Sequence, residues 1–176
     1  FGAQMHFLSS MSGLPRYVLV VNPENTTTAV NYADRSTAVL WGDGTSAAVV
    51  SIEEPSRLRV RDTSIASDSA RWDAVCIPRF GHFHQDGNAV QRFAIKTTLS
   101  CARALRASAQ ERASTHGGVL RFIGHQANLL MLQSVASRLD LADGAHWYNV
   151  IEFGNTGAAG GPCVLSQHWD ELGDGD

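Results

Sequence analysis

The sequence contains few cysteines, and their positions exclude two kinds of scaffold. Three occur in 176 residues, at Cys76, Cys101 and Cys163, and no two of them form a C-x-x-C pair. An odd, widely spaced set supports neither a disulfide framework nor a structural zinc site. A reducing compartment fits this pattern, and we expect the protein to be cytoplasmic.

The sequence also lacks a strong charge of one sign and a long apolar run. Its formal net charge is −3, and no block of five or more like charges occurs, so we expect no nucleic-acid partner. No apolar run approaches the roughly 18 to 20 residues that span a bilayer, so we expect no membrane segment. With 44% apolar residues, the chain is long enough for one sizeable core and short for two independent domains.

Four parts of the first half show distinct patterns. Helical spacing of apolar residues from Phe1 to Met11 predicts an opening helix. The β-branched run Tyr17–Val21 is typical of a strand that is apolar on both faces. The segments Thr37–Trp41 and Ala47–Ile52 flank a Gly-Asp-Gly turn and predict a hairpin. The stretch from Pro55 to Gly87 is irregular and rich in Ser, Asp and Arg, which is typical of a functional excursion.

The second half predicts helices and strands in alternation. A helix capped by Asp86 or Asn88 is expected to run to about Ala113, where "HGG" follows. After it come a strand, "VLRFIG", a helix, "NLLMLQSVASRLDL", a further strand, "WYNVIEFGN", and a small-residue helix, "TGAAGGPCVLSQHWDEL". This β-α-β-α order indicates an α/β arrangement. In the helix "NLLMLQSVASRLDL", the residues predicted to face the core are Leu129, Leu132, Ala136 and Leu139.

Two polar residues follow predicted strands, where open α/β sheets place ligand-binding groups. His125 follows "VLRFIG", and Asn155 follows "VIEFG" thirty residues later. Taken alone, His125 is as well explained by a packed core histidine. Together the two side chains offer a pair of N–H donors, which is what a thioester carbonyl or enolate oxygen needs as negative charge develops on it.

Four motifs carry a resemblance to a known family. "GHQAN" is followed by "GNTGAA" and preceded by "DGNAVQRFAI" and "ADRSTAVLWGDGTSAAVV". In this order and spacing they resemble the β-ketoacyl-ACP synthase III branch of the thiolase-like condensing enzymes. The resemblance extends from Phe1 to the final "GDGD". It implies an α/β thiolase-like fold, layered α-β-α-β-α, of which this chain is the C-terminal part, without the N-terminal half and the last strands.

The resemblance also implies a division of the chain. Residues 1–54 correspond to the end of the N-terminal thiolase-like half, with the helix that follows the nucleophile and its strands. Residues 55–86 correspond to an irregular insertion in the substrate region. Residues 87–176 correspond to the C-terminal half, which carries the histidine and the asparagine.

The activity implied by the resemblance is acyl transfer by decarboxylative Claisen condensation of an acyl thioester with a malonyl thioester. His125 and Asn155 are then the catalytic pair that binds the malonyl thioester carbonyl. No metal or other cofactor is implied; CoA or phosphopantetheine thioesters are the substrates. The implied partners are acyl carrier protein or acyl-CoA and a second copy of the complete enzyme. The substrate or pantetheine arm is expected to lie against Asn128, Gly87, Gln126, Ala127 and Phe153, although Asn128 is equally well explained as a helix cap.

The family's nucleophilic cysteine has no counterpart among the three cysteines. The family pattern places it about three residues before Phe1, at the N-terminus of a buried helix that helps to hold it as thiolate. Cys101 and Cys163 are predicted to be small core residues, and Cys76 is only a weak candidate for the nucleophile. A segment or subunit that carries the cysteine is therefore an expected partner, and truncation, a split into subunits or a break beside a modified cysteine would each explain its absence.

Several positions depart from the family pattern. Leu130 stands where an arginine helps to dock acidic carrier protein, Gln91 replaces an aromatic residue, and "GNTGAAGG" replaces the usual "GNTSAAS". We therefore look to Arg103, Arg106 and Arg112 for docking. Two other functions stay open: acyl transfer to an oxygen or nitrogen acceptor, and a non-catalytic partner subunit. The pair His82 and His84 suggests a metal site, but no third ligand occurs at a defined spacing.

Overall fold

The computed structural model describes residues 1–173, and it leaves out the side chain of His116. Its final three residues, which belong to the predicted "GDGD" turn, lie outside this description. The described part contains six strands and five α-helices, with short 3-10 turns between them. In chain order they are α1 Gly2–Ser10, β1 Val18–Glu24, β2 Gly44–Val50, β3 Val75–Cys76, β4 His84–Gln85, α2 Gly87–His116, β5 Phe122–Ile123, α3 Leu129–Arg138, β6 His146–Trp147, α4 Val150–Phe153 and α5 Gly160–Gln167. No helix within residues 1–173 is both long and apolar enough to cross a bilayer.

The pairing of β1 differs from the predicted hairpin. β1 pairs antiparallel with β2, Val20 lying opposite Ala48, whereas Thr37–Trp41 forms turns instead of a strand. Two contacts explain the difference. The carboxylate of Asp43 accepts hydrogen bonds from the N–H and hydroxyl of Thr27, which draws the Gly-Asp-Gly segment toward the end of β1. Trp41 forms a bridge with Asn155 and is therefore not free to pair with β2.

β1 carries apolar side chains on both faces, and residues 1–173 cover one of them. Val20 is 5% exposed, whereas its neighbour Leu19 is 66% exposed. Alternate side chains of a strand point to opposite faces, so one face of the β1–β2 sheet packs on the protein and the other carries exposed apolar side chains.

α2 has the beginning and the end that the sequence predicts. The Asp86 side chain accepts a hydrogen bond from the backbone N–H of Ala89, as an N-cap does. Gly117 ends the helix at φ 72°, a left-handed conformation that glycine adopts without steric cost. The residues before α2 are irregular as predicted, with β3 and β4 forming a two-residue antiparallel pair.

β5 and β6 form the parallel pair that supports the candidate site. α3 connects them, which makes a βαβ unit, and it packs on α2 through a core of Leu99, Val135 and Leu139. The predicted strand "WYNVIEFGN" is confirmed only at its start, because β6 ends at Trp147 and the next residues form α4. A second core, made by Trp147, Val164 and Leu172, holds α5 against β6.

Candidate active site

His125 lies two residues beyond β5 and four before α3, so the predicted strand-to-helix position is confirmed. A Cβ at Gly124 would lie 2.5 Å from Leu132 Cδ2, so this glycine allows α3 to pack close to the end of β5. The His125 side chain is exposed, unlike a core histidine. Its ring forms no hydrogen bond with any residue between 1 and 173, which leaves one nitrogen to donate and the other to accept when the ring is neutral.

The protonation of His125 depends on two surrounding features. Although the side chain reaches the surface, neighbouring protein atoms desolvate the ring and lower its pKa below the usual 6.5. The Glu24 carboxylate acts in the opposite direction. Because the net shift is downward, His125 is neutral at pH 7 and can donate a hydrogen bond without carrying a charge.

Gln126 is fully buried and organises the backbone behind His125. Its Nε2 donates to the Gly124 carbonyl at 2.8 Å. Its Oε1 accepts from the backbone N–H groups of Asn149 at 2.9 Å and Val150 at 3.2 Å. This residue is 0% exposed, and its side chain connects the His125 loop to the start of α4. Its predicted contact with the substrate stays a prediction.

Asn155 does not follow a strand, contrary to the prediction. It follows α4, after Gly154 turns the chain at φ 67°. Its backbone instead forms a bridge with the loop before β2. The Asn155 N–H donates to the Leu40 carbonyl at 2.9 Å, and the Asn155 carbonyl accepts from the Gly42 N–H at 3.1 Å. A Cβ at Gly42 would lie 2.0 Å from the Phe153 carbonyl oxygen, so this close approach requires glycine.

A hydrogen bond fixes the orientation of the Asn155 side chain. Its Oδ1 accepts from the backbone N–H of Gly157 at 3.1 Å. The Nδ2 group donates to none of the residues that the structure describes, and the residue is only 7% exposed. Asn155 therefore presents two preoriented N–H donors, as expected for a group that binds a developing negative charge.

Glu24 joins the two halves of the site, and sequence reasoning missed it. It ends β1, and its Oε1 accepts from the backbone N–H of Ala158 at 2.9 Å, three residues after Asn155. The same carboxylate raises the pKa of His125. The available signal was an acidic residue at the end of an apolar strand, in "VLVVNPE".

The surroundings of the three cysteines differ from those of His125 and Asn155. The Ser64 hydroxyl donates to Cys101 Sγ at 3.6 Å, and Cys163 Sγ donates to the Thr45 carbonyl at 3.8 Å. Cys76 lies in β3. None of these contacts involves His125 or Asn155.

The remaining predicted site residues lie at or near helix ends. Asn128 caps α3, its Oδ1 accepting from the Met131 N–H at 2.8 Å. Gly87 is exposed and begins α2, and a Cβ there would meet only the Gln85 Nε2, at 3.9 Å. Ala127 is half-buried, and Phe153 is 50% exposed at the end of α4. Within residues 1–173 no three metal-ligating side chains form a group that could hold an ion.

Comparison with known proteins gives a consistent result. Residues 4–69 match the family model of 3-oxoacyl-[acyl-carrier-protein] synthase III, and residues 110–176 match the model of its C-terminal region. The β-ketoacyl-[acyl-carrier-protein] synthase III of Campylobacter fetus is 28% identical over 175 residues, which are 91% of this chain and 52% of that protein.

Solved structures show the same likeness. The 3-oxoacyl-[acyl-carrier-protein] synthase III of Aquifex aeolicus is 26% identical with a TM-score of 0.77, covering 97% of this chain and 54% of that one. The priming β-ketosynthase of the R1128 polyketide pathway is 27% identical with a TM-score of 0.68, covering 86% of this chain and 48% of that one. The chain thus has their α/β fold, and it spans about half the length of the curated relatives it matches.

Proposed function

Because the chain belongs to the 3-oxoacyl-[acyl-carrier-protein] synthase III family, we propose that it supplies the condensing half of an acyltransferase active site. The proposed reaction is decarboxylative Claisen condensation of an acyl thioester with a malonyl thioester, as in fatty-acid or polyketide synthesis. One observation carries it: Asn155 is fixed by Gly157 so that its N–H groups are free, and the Glu24 carboxylate that bonds the Ala158 N–H also acts on a neutral His125.

The chemistry follows from two neutral donors at one place. When the malonyl carboxylate leaves as CO₂, the electrons of the broken C–C bond move to the thioester carbonyl and form an enolate. His125 N–H and Asn155 Nδ2–H stabilise that oxygen more strongly in the transition state than in the ground state. The enolate carbon then attacks the carbonyl of the enzyme-bound acyl thioester, a new C–C bond forms, and the cysteine thiolate leaves.

The acyl group needs a cysteine that is not among these 176 residues. We place it on the N-terminal side of α1, because the family pattern puts it about three residues before Phe1 and a helix N-terminus stabilises a thiolate. Reading the gene upstream of the Phe1 codon tests this placement. A cysteine codon about three positions earlier in the same frame is expected, as the family pattern implies.

Acyl transfer to an oxygen or nitrogen acceptor is the second candidate. It would need His125 as a general base, a role served best when a carboxylate accepts the other ring N–H. Glu24 supplies a nearby negative charge, which favours this candidate, but its Oε1 accepts from Ala158 and it forms no hydrogen bond with His125 within the described residues. Condensation is therefore the better-supported function.

The test uses the protein expressed from its complete reading frame, with His125→Ala and Asn155→Ala. Each variant should acylate normally, because the pair acts in the second half-reaction. Each should decarboxylate the malonyl thioester about 10²- to 10³-fold more slowly, the usual effect of removing one oxyanion donor. Intact-protein mass spectrometry measures acylation, and CO₂ release measures decarboxylation.

Matched controls are His82→Ala and Gln110→Ala, which remove an imidazole and an amide at exposed positions that carry no proposed substrate contact. Both should keep full activity. If His125→Ala lost acylation as severely as decarboxylation, the histidine would act on the nucleophile, and the assignment to the condensing half-reaction would be wrong.

A further inference from the structure

Glu24 occupies a position that the proposed chemistry does not by itself explain. It is half-buried at the end of β1, where its carboxylate contacts the turn that carries Asn155 and acts by its charge on His125. Its one hydrogen bond within the described residues is the 2.9 Å contact from the Ala158 N–H. No salt bridge from Lys, Arg or His reaches it within the same residues, so its negative charge is not neutralised by a direct ion pair.

The turn fits closely around this carboxylate. Gly157 has φ +55°, and a Cβ there would lie 2.5 Å from both Cδ and Oε2 of Glu24. The absence of a side chain at position 157 therefore makes room for the carboxylate as well as allowing the left-handed backbone. Gly157 is also the residue whose N–H fixes the Asn155 amide. The carboxylate, the glycine and the asparagine thus form one packed unit.

We propose that Glu24 is a positioning residue of this site: its carboxylate holds the turn from Asn155 to Ala159 in place and fixes that turn relative to His125. The effect of Glu24 on catalysis rests on the proposed function, whereas its role in holding the turn does not. Glu24 acts through Asn155 and His125 and contacts no reacting atom. The two effects of Glu24 can be separated by substitution. Its hydrogen bond from the Ala158 N–H depends on the length of the side chain, whereas its effect on the pKa of His125 depends on the charge.

Three substitutions separate these effects. Glu24→Gln keeps the length and an accepting oxygen but removes the charge. Glu24→Asp keeps the charge but is one methylene shorter, so it does not reach the Ala158 N–H. Glu24→Ala removes both. The control is Glu53→Gln, which removes one carboxylate charge from an exposed position far along the chain from the site.

The first two measurements do not depend on activity. In the protein from its complete reading frame, hydrogen exchange at Ala158 should become about tenfold faster or more in Glu24→Ala and Glu24→Asp, since a hydrogen bond to a charged acceptor is lost. In ¹³C-histidine NMR, the pKa of His125 should fall in Glu24→Gln and Glu24→Ala, because the negative charge that raises it is gone. His125→Gln assigns the signal, and Glu53→Gln should change neither measurement.

The third measurement connects the unit to catalysis. The kcat of malonyl decarboxylation should fall about tenfold or more in Glu24→Ala with little change in KM, as expected for an interaction made in the transition state.

Unchanged hydrogen exchange at Ala158 in Glu24→Ala would overturn the proposal outright. Faster exchange with unchanged kcat would overturn the positioning role. The absence of any decarboxylation in the unsubstituted protein would instead refute the proposed function and leave the exchange and titration results to decide the structural content.

Discussion

At the scale of single residues, His125 and Asn155 obtain their chemistry in different ways. His125 depends on its surroundings, because burial lowers its pKa and keeps the ring neutral. Asn155 depends on one directed contact, because the Gly157 N–H occupies its oxygen and leaves its nitrogen to donate. A change near His125 should therefore alter the pH dependence of the reaction, whereas a change near Asn155 should alter its rate at every pH.

Gln126 gives a prediction at this scale. In Gln126→Leu the buried N–H groups of Asn149 and Val150 lose their acceptor, and each buried group left without a partner costs about 1 to 3 kcal/mol. We expect the free energy of unfolding to fall by about 2 to 6 kcal/mol, as the sum of two such groups. Urea denaturation measures this, and Gln133→Leu, an exposed position on α3, should stay within about 0.5 kcal/mol of the unsubstituted protein.

At the scale of elements, local signals predicted more than pairing patterns did. α2 and α3 were predicted correctly because their caps, Asp86 and Asn128, act through hydrogen bonds three residues along the chain. His125 was placed correctly because it lies three residues before such a cap, Asn128. The pairing of β1 with β2 was missed because Asp43 and Trp41 are held by residues distant in sequence.

The surroundings of Asn155 show the same limit. The apolar run of "WYNVIEFGN" is compatible with a strand, but the buried Gln126 accepts from the first N–H groups of α4 and so favours a helical turn there. The helical conformation of this segment depends on the Gln126 side chain, which belongs to another loop, so the pattern of residues within "WYNVIEFGN" could not predict it. Glu24 was missed for a similar reason, since its partners lie more than a hundred residues later.

Asn128 gives a prediction at the scale of elements, because it is both the N-cap of α3 and a proposed contact for the pantetheine arm. Asn128→Asp keeps the cap that accepts from the Met131 N–H but removes the amide donor. We expect its stability to be unchanged and its KM for a pantetheine thioester to rise several-fold. Asn128→Ala should in addition lose about 1 kcal/mol of stability, the usual effect of removing a cap. If Asn128→Asp left KM unaltered, the residue would be a cap alone.

At the scale of the whole molecule, two histidines make stability depend on pH. Burial lowers the pKa of both His125 and His146, and the buried Nε2 of His146 has no hydrogen-bond partner within the described residues. In the unfolded chain a histidine titrates near about 6.5. As the pH falls below that value, the unfolded state binds more protons than the folded state, so stability decreases until the folded-state pKa values are passed.

The resulting prediction is a loss of stability in the window that begins at the unfolded histidine pKa of about 6.5 and extends down to the lowered folded-state pKa values. His146→Gln should reduce the slope of the urea midpoint against pH in this window, whereas His82→Gln, at an exposed position, should keep the unsubstituted slope. An identical slope in His146→Gln would show that burial of this ring is not a source of the acid sensitivity.

The distribution of charge over α2 and α3 revises the predicted docking helix. The guanidinium group of Arg106 bonds the Leu139 and Asp140 carbonyl oxygens, and Arg112 pairs with Asp62 at 2.9 Å. Of the three predicted arginines, only Arg103 forms no such bond with the residues that the structure describes. It lines a shallow groove of about 590 Å³ with three further basic side chains and no acidic one, and we call this the basic groove: Arg92, Lys96, Arg103 and Arg138, together with Ile95, Leu99 and Ser100.

We expect the basic groove to attract an acidic acyl carrier protein. Charge reversal by Lys96→Glu with Arg103→Glu should raise KM for the carrier-bound substrate at least several-fold at low salt, because exposed charges act mainly on the association rate. The difference should fade as the Debye length falls from about 10 Å at 0.1 M salt to about 3 Å at 1 M. Turnover of a short pantetheine thioester should be unchanged, since it needs no protein docking. A double variant with the same change in charge elsewhere, Arg16→Glu with Arg79→Glu, separates local from global electrostatics; an equal rise in KM for both variants would remove the basic groove from the docking surface.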